Sequence, residues 1–167
     1  RVVGDATLSS TGGGEIVHAA NVNGLLTTDT SGATRLSGTL GSLAVVHSAA
    51  LNFDNSTTIN GTAAIAASGA ISQSATAPLI VSGPLTISAP GQDVTLDHAA
   101  NDFSSVQITA GKTVLTDQNT FTVDLNTGAT TARALAGALT ASGHASSLTA
   151  SAAGASGELT SSVATTA

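Results

Sequence analysis

The sequence predicts an all-β fold, a parallel β-helix, on three observations. Short apolar–polar alternations recur along the chain, corner residues fall between them, and large side chains are nearly absent. The 167 residues contain three Phe and no Trp, Tyr, Cys or Met. Charged residues make up 8%, against about 25% in an average soluble protein. Ala, Gly, Ser and Thr dominate, while mean hydropathy is positive, which separates the chain from the highly charged composition of disorder. Such an inventory fills a narrow interior lined by Val, Ile, Leu and Ala in many short layers. A β-sandwich, the competing all-β arrangement, wants bulky anchors such as Trp or Tyr.

Taken in order, the chain opens with Val2-Val3, good strand material, and turns at Gly12-Gly13-Gly14. Leu85-Thr-Ile87, Val94-Thr-Leu96, Val106-Gln-Ile108 and Phe121-Thr-Val123-Asp-Leu125 alternate with period two, the mark of a strand with one buried face. Gly83-Pro84, Pro90-Gly91, Asn101-Asp102, Ala110-Gly111 and Asp117-Gln-Asn119 punctuate them. Strand starts at 85, 94, 106, 114 and 121 lie 9, 12, 8 and 7 residues apart, too close for crossover helices. Little or no helix is expected: at most one brief helix has room, near Ala132 to Leu139. Three short strands per coil of ~20–25 residues give roughly seven or eight coils and a rod about 35–40 Å long. The whole of 1–167 reads as one solenoid domain, or an excerpt of a longer one, with coils of lower complexity over 126–167.

Repetition is present but degenerate. All four histidines precede two small residues, as in His18-Ala-Ala-Asn21, His47-Ser-Ala-Ala-Leu-Asn52, His98-Ala-Ala-Asn101 and His144-Ala-Ser. Leu139-Thr-Ala-Ser, Leu148-Thr-Ala-Ser and Leu159-Thr-Ser-Ser form a second phrase. Repetition explains the histidines better than chemistry does: His18, Asn21, His47, Asn52, His98 and Asn101 are read as repeat corners, where Asn can stack on Asn.

The stretch from residue 69 to 125 resembles the repeats of the large secreted β-strand-repeat adhesins of Gram-negative bacteria, the filamentous-haemagglutinin-like exoproteins of two-partner secretion. Gly69-Ala-Ile-Ser-Gln, Gly83-Pro-Leu-Thr-Ile, Val94-Thr-Leu, Ala-Ala-Asn-Asp-Phe ending at Phe103, and Val114-Leu-Thr-Asp carry the likeness. Residues 33 to 68 follow more loosely, and 126 to 167 only in composition. The resemblance implies a right-handed parallel β-helix, export to the cell surface or beyond, and service as a fibre or adhesin shaft. Family members are usually far longer than this chain and carry an N-terminal secretion domain that has no counterpart here.

Other chemistries find little footing. A net charge of −6, with only Arg1, Arg35, Lys112 and Arg133 as cations, offers no footprint for nucleic acid. No apolar run approaches the ~20 residues of a membrane-spanning helix. The acids lack the basic and aromatic partners expected of β-helix enzymes on acidic sugars, and no Gly-x-Ser-x-Gly elbow stands between a strand and a helix. The expectation is therefore a non-enzyme without a cofactor. Asp54, Asp102 and Asp117 are the weak candidates for calcium, and no resident metal is expected.

The function expected is structural. An uncapped solenoid presents strand edges, and edges recruit further strand. Val2, Val3 and Val163 are read as assembly edges of a self-assembling extracellular filament or biofilm matrix, with other copies of the chain as its partner and host or cell-surface glycans as further ones. The alternative is a ligand-binding solenoid module, for glycan or ice, that presents a Thr-rich face.

Overall fold

The computed structural model describes residues 1–154 and 157–165. Fourteen strands and no helix occur among them. The first seven are β1 (Ala6–Ser10), β2 (Ile16–Ala19), β3 (Val22–Thr30), β4 (Ala33–His47), β5 (Ala50–Ile59), β6 (Ala63–Ala66) and β7 (Ile71–Gln73). They are followed by β8 (Leu79–Ala89), β9 (Val94–Leu96), β10 (Asp102–Ala110), β11 (Thr113–Asp117), β12 (Phe121–Ala134), β13 (Leu139–Ala152) and β14 (Leu159–Thr165). Every pairing is parallel and joins residues about one coil apart, which is the expected β-solenoid, of about eight turns. At ~4.8 Å per coil the rod is about 38 Å long.

Each coil has three sides. The first side stacks Val22, Leu40, Ile59, Val81 and Phe103, then Phe121, Leu139 and Leu159. The second stacks Leu26, Leu43, Ala63, Leu85, Val106, Val123 and Ala141, each partner to the next. On the third, Leu51 and Ile71 lead to Val94, while Leu96, Leu115 and Ala132 form a parallel inner row. Alternation turns these residues inward, where all but Leu159, which stays exposed, form one continuous core. The three phenylalanines are fully buried, and Phe103 meets Phe121 edge to face with ring centroids 6.5 Å apart. A wider section would leave voids between side chains this small, and voids cost stability.

Two details of coil length and strand division differ from the sequence reading. The coil is shorter than expected at its lower limit: offsets run from 17 residues (Leu26 to Leu43) to 23 (Ile71 to Val94). First and second sides are often one continuous strand bent in the middle, so the expected starts at 85 and 106 fall inside β8 and β10. The one place left open for a brief helix, Ala132 to Leu139, holds none. Ala132 and Ala134 end β12, buried beneath Ala150 and Ala152 of the next coil, and Gly137 follows at φ 119°. The helix preference of Ala is a few tenths of a kcal/mol per residue and yields to tertiary pairing.

The bend between first and second sides is lined by glycine. Gly4, Gly24, Gly41, Gly61 and Gly83 lie over one another there, with Gly24 N donating to Gly4 O at 3.0 Å and Gly83 N to Gly61 O at 3.1 Å. The need is close approach: a Cβ on Gly83 would stand 2.7 Å from the Gly61 carbonyl oxygen.

Candidate functional site

Outward-facing residues decide what such a rod can do, because its interior is one continuous apolar core. The corner from the third side to the first is closed by a buried amide. Asn101 Oδ1 accepts from Leu79 N at 2.8 Å and from Gln73 Nε2 at 2.9 Å, while its Nδ2 donates to Gln73 Oε1 at 2.9 Å and to Leu96 O at 3.1 Å. Every hydrogen-bonding site of that amide is in use, so its work is holding two coils together. Asn21 lies at the corresponding corner and accepts from Thr39 N at 2.9 Å. Asn52 differs from the sequence reading: it lies inside β5, on the outer row of the third side, hydrogen-bonded through Nδ2 to Asp54.

The histidines fall at two different corners. His18 lies next to last in β2 and His98 follows β9, both leaving the third side, whereas His47 ends β4 and His144 lies in β13 on the second. The His phrase is thus out of step with the coil. Each ring of the first three serves the local backbone: His18 Nε2 faces Ala20 O at 3.1 Å, His47 Nδ1 faces Thr30 O at 2.9 Å, and His98 Nδ1 accepts from Ala100 N at 3.0 Å.

Of the three calcium candidates, the structure brings together Asp102 and Asp117 and leaves Asp54 three coils away, in a pair with Arg35 at 2.6 Å. Asp117 is fully buried; its Oδ2 accepts from Phe103 N at 2.6 Å and its Oδ1 from Asn119 N at 2.7 Å. Asp102 accepts from Gln118 Nε2 at 2.9 Å and Asn119 Nδ2 at 3.2 Å. Burial raises the Asp117 carboxyl above its ordinary value; the two amide donors pull it back in part, and the Asp102 charge adds to the rise. Among the described residues no three His, Cys, Asp or Glu side chains converge as a metal site would require.

Val2 makes a single parallel bridge to Val22, Val3 is exposed, and Val163 sits in β14, partner to Gly143. Outward threonines form only short rows, Thr7–Thr27, Thr39–Thr58, Thr131–Thr149 and Thr122–Thr140–Thr160, on different sides of the rod.

The sequence reading passed over the outer surface of the second side. Here three shallow depressions run into one another. One, of about 370 Å³, is lined by Thr86, Ser88, Gln107, Thr109, Asp124 and Asn126. A second, of about 180 Å³, adds Pro84, Ser105 and Thr122 beside the bend. The third, of about 290 Å³, lies over Ala44, Val46, Ala64 and Ala66 and reaches Thr86 and Ser88. The available signal was the period-two complement of the core: whatever alternates with Leu85, Ile87, Val106, Ile108, Val123 and Leu125 must face out, and coil register places those residues side by side.

No helix is long and apolar enough to cross a membrane among the described residues. Residues 40–110 match a family model described as repeats of unknown function (DUF5649). No curated protein and no solved structure matches the chain. The family match and the stacked coils together establish a repeat-containing β-helix protein.

Proposed function

We propose that the chain is a structural shaft segment of an extracellular bacterial filament or adhesin, of the filamentous-haemagglutinin-like kind, that grows by end-to-end stacking of solenoids. One observation carries the reading: the coils stack in one uninterrupted parallel ladder from β1 to β14, a geometry that accepts further coils in the same register. A further solenoid stacked on this ladder would continue its backbone hydrogen bonds, as each coil already does for the next. The sparse charge on the sides supports close lateral approach of neighbouring rods, and thus a matrix at the surface of a Gram-negative cell. A structural role also accords with side chains spent on coil-to-coil contacts, as at Asn101.

Electron cryomicroscopy of concentrated protein tests the proposal. Filaments with a layer line near ~4.8 Å are expected. Val163→Pro, which removes a backbone donor from β14, should shorten or abolish them. Discrete particles at every concentration, or filaments indifferent to this substitution and to Pro at Val3, would refute end-to-end growth.

A further inference from the structure

The outer surface of the second side is built in two rows. Strand pairing sets Ala44, Ala64, Thr86, Gln107 and Asp124 in one row. Ala66, Ser88, Thr109 and Asn126 occupy the other. Five coils at ~4.8 Å make this a strip about 19 Å long, parallel to the rod axis. The depressions follow the strip without a break, since Thr86 lines all three.

We propose that this strip binds an extended, uncharged polysaccharide segment laid along the rod. Three features select that ligand. The first is hydrogen-bonding character. Thr86, Ser88 and Thr109 carry hydroxyls, Gln107 and Asn126 carry amides that both donate and accept, and Asp124 accepts. A sugar hydroxyl, itself donor and acceptor, matches this mixture. Asp124 Oδ1 takes a weak bond from Ser142 Oγ at 3.3 Å, and the exposed carboxylate lines the groove.

Charge is the second feature. Asp124 is the only ionisable residue lining the depressions, and no Lys or Arg lines them. An acidic sugar, a sulfate or a phosphate would meet a carboxylate with no cation to offset it; an uncharged sugar meets no such penalty. The third is the apolar end of the strip. Val46 is 56% exposed beside Ala44, Ala64 and Ala66, whose small side chains keep the surface flat. Such a patch seats the C–H face of a pyranose ring, while the polar end engages ring hydroxyls. The coil repeat is also close to the length of one sugar unit in an extended chain, so successive sugars fall over successive coils.

No aromatic ring lines the strip, so a single chain binds weakly. Affinity for a long polymer would come from many strips acting together. The proposal does not depend on filament growth, because the strip belongs to one chain.

Saturation-transfer NMR on the isolated chain tests it, with cellohexaose, maltohexaose, mannohexaose and N-acetylchitohexaose as neutral probes and hexagalacturonate as the acidic one. At least one neutral hexasaccharide is expected to bind at millimolar concentration. The double variant Gln107→Ala/Asp124→Ala should weaken it about ten-fold, the size of one or two lost hydrogen bonds. Ala64→Glu should weaken it from the apolar end, and Thr149→Ala, on the third side, should not. Far-UV circular dichroism checks that each variant folds; all four positions are at the surface, and either groove variant alone suffices for the test. Lack of binding by every neutral probe, unchanged binding in the groove variants, or equal binding of hexagalacturonate would overturn the proposal.

Discussion

Asp117 shows how a single residue acquires its character from the coil above and the coil below. Its carboxyl is raised, first by burial, against the pull of Asn119 N and Phe103 N, and with help from Asp102. For an acid raised in the folded state, the folded protein holds the proton more tightly than the unfolded chain does. Ionised Asp117 therefore subtracts from stability near neutral pH, and the penalty shrinks as pH falls through the raised value toward the ordinary one. The stability of the native chain relative to Asp117→Asn should rise between pH 7 and pH 4, as read from urea midpoints; parallel pH profiles for the two would contradict this account. The sequence marked Asp117 as a corner acid and a weak calcium candidate, not as a buried one. Nothing within the phrase Thr116-Asp117-Gln118 reveals burial, because burial arises from residues a coil away. Asn101 and Asn52 make the same point, alike in their phrases and unlike in their places.

Among the elements, the glycine-lined bend between first and second sides governs how closely coils approach. A Cβ on Gly61 would lie 2.5 Å from Ser42 Oγ and 2.8 Å from the Gly41 carbonyl oxygen, and a backbone atom cannot step aside as a side chain can. Gly61→Ala should cost about 1–3 kcal/mol through overpacking, whereas Thr62→Ala, exposed beside it, should be nearly neutral. Urea unfolding of the two variants checks the contrast. The spacing of Gly4, Gly24, Gly41, Gly61 and Gly83 follows the coil and was present in the sequence all along. Read one at a time, these glycines look like ordinary turn signals. Only their recurrence at intervals near 20 residues exposes the register, and the out-of-step His phrase obscured it. The period-two strands were plain by contrast, since each carries its signal within three to five residues.

At the scale of the whole molecule, scarcity of large side chains was the informative observation. It excluded a thick core and pointed to the β-helix before any strand was placed. The groove was harder to read, because Gln107 and Asp124 are 17 residues apart and become neighbours only through the register of β10 with β12. A stack whose coils touch only their neighbours is modular. Deleting residues 43–62, one complete coil by the pairing of Leu43 with Ala63, should leave a folded, shorter rod. Deleting 43–52 removes half a coil and turns core residues outward, so the product should lose its cooperative thermal transition. A thermal melt with circular dichroism compares the two; equal behaviour would argue against register as the organising constraint.

The parallel stacking also determines how the rod meets force. Its backbone hydrogen bonds point along the axis, so tension applied from end to end draws coils apart one at a time, in the manner of a zip, and is not shared by all bonds at once. A coil that occupies ~4.8 Å of rod holds 17 to 23 residues, which extend to roughly 55–75 Å when released. Each coil that yields would lengthen more than ten-fold, so a tether made of such coils would absorb a sudden pull while both of its ends stay attached.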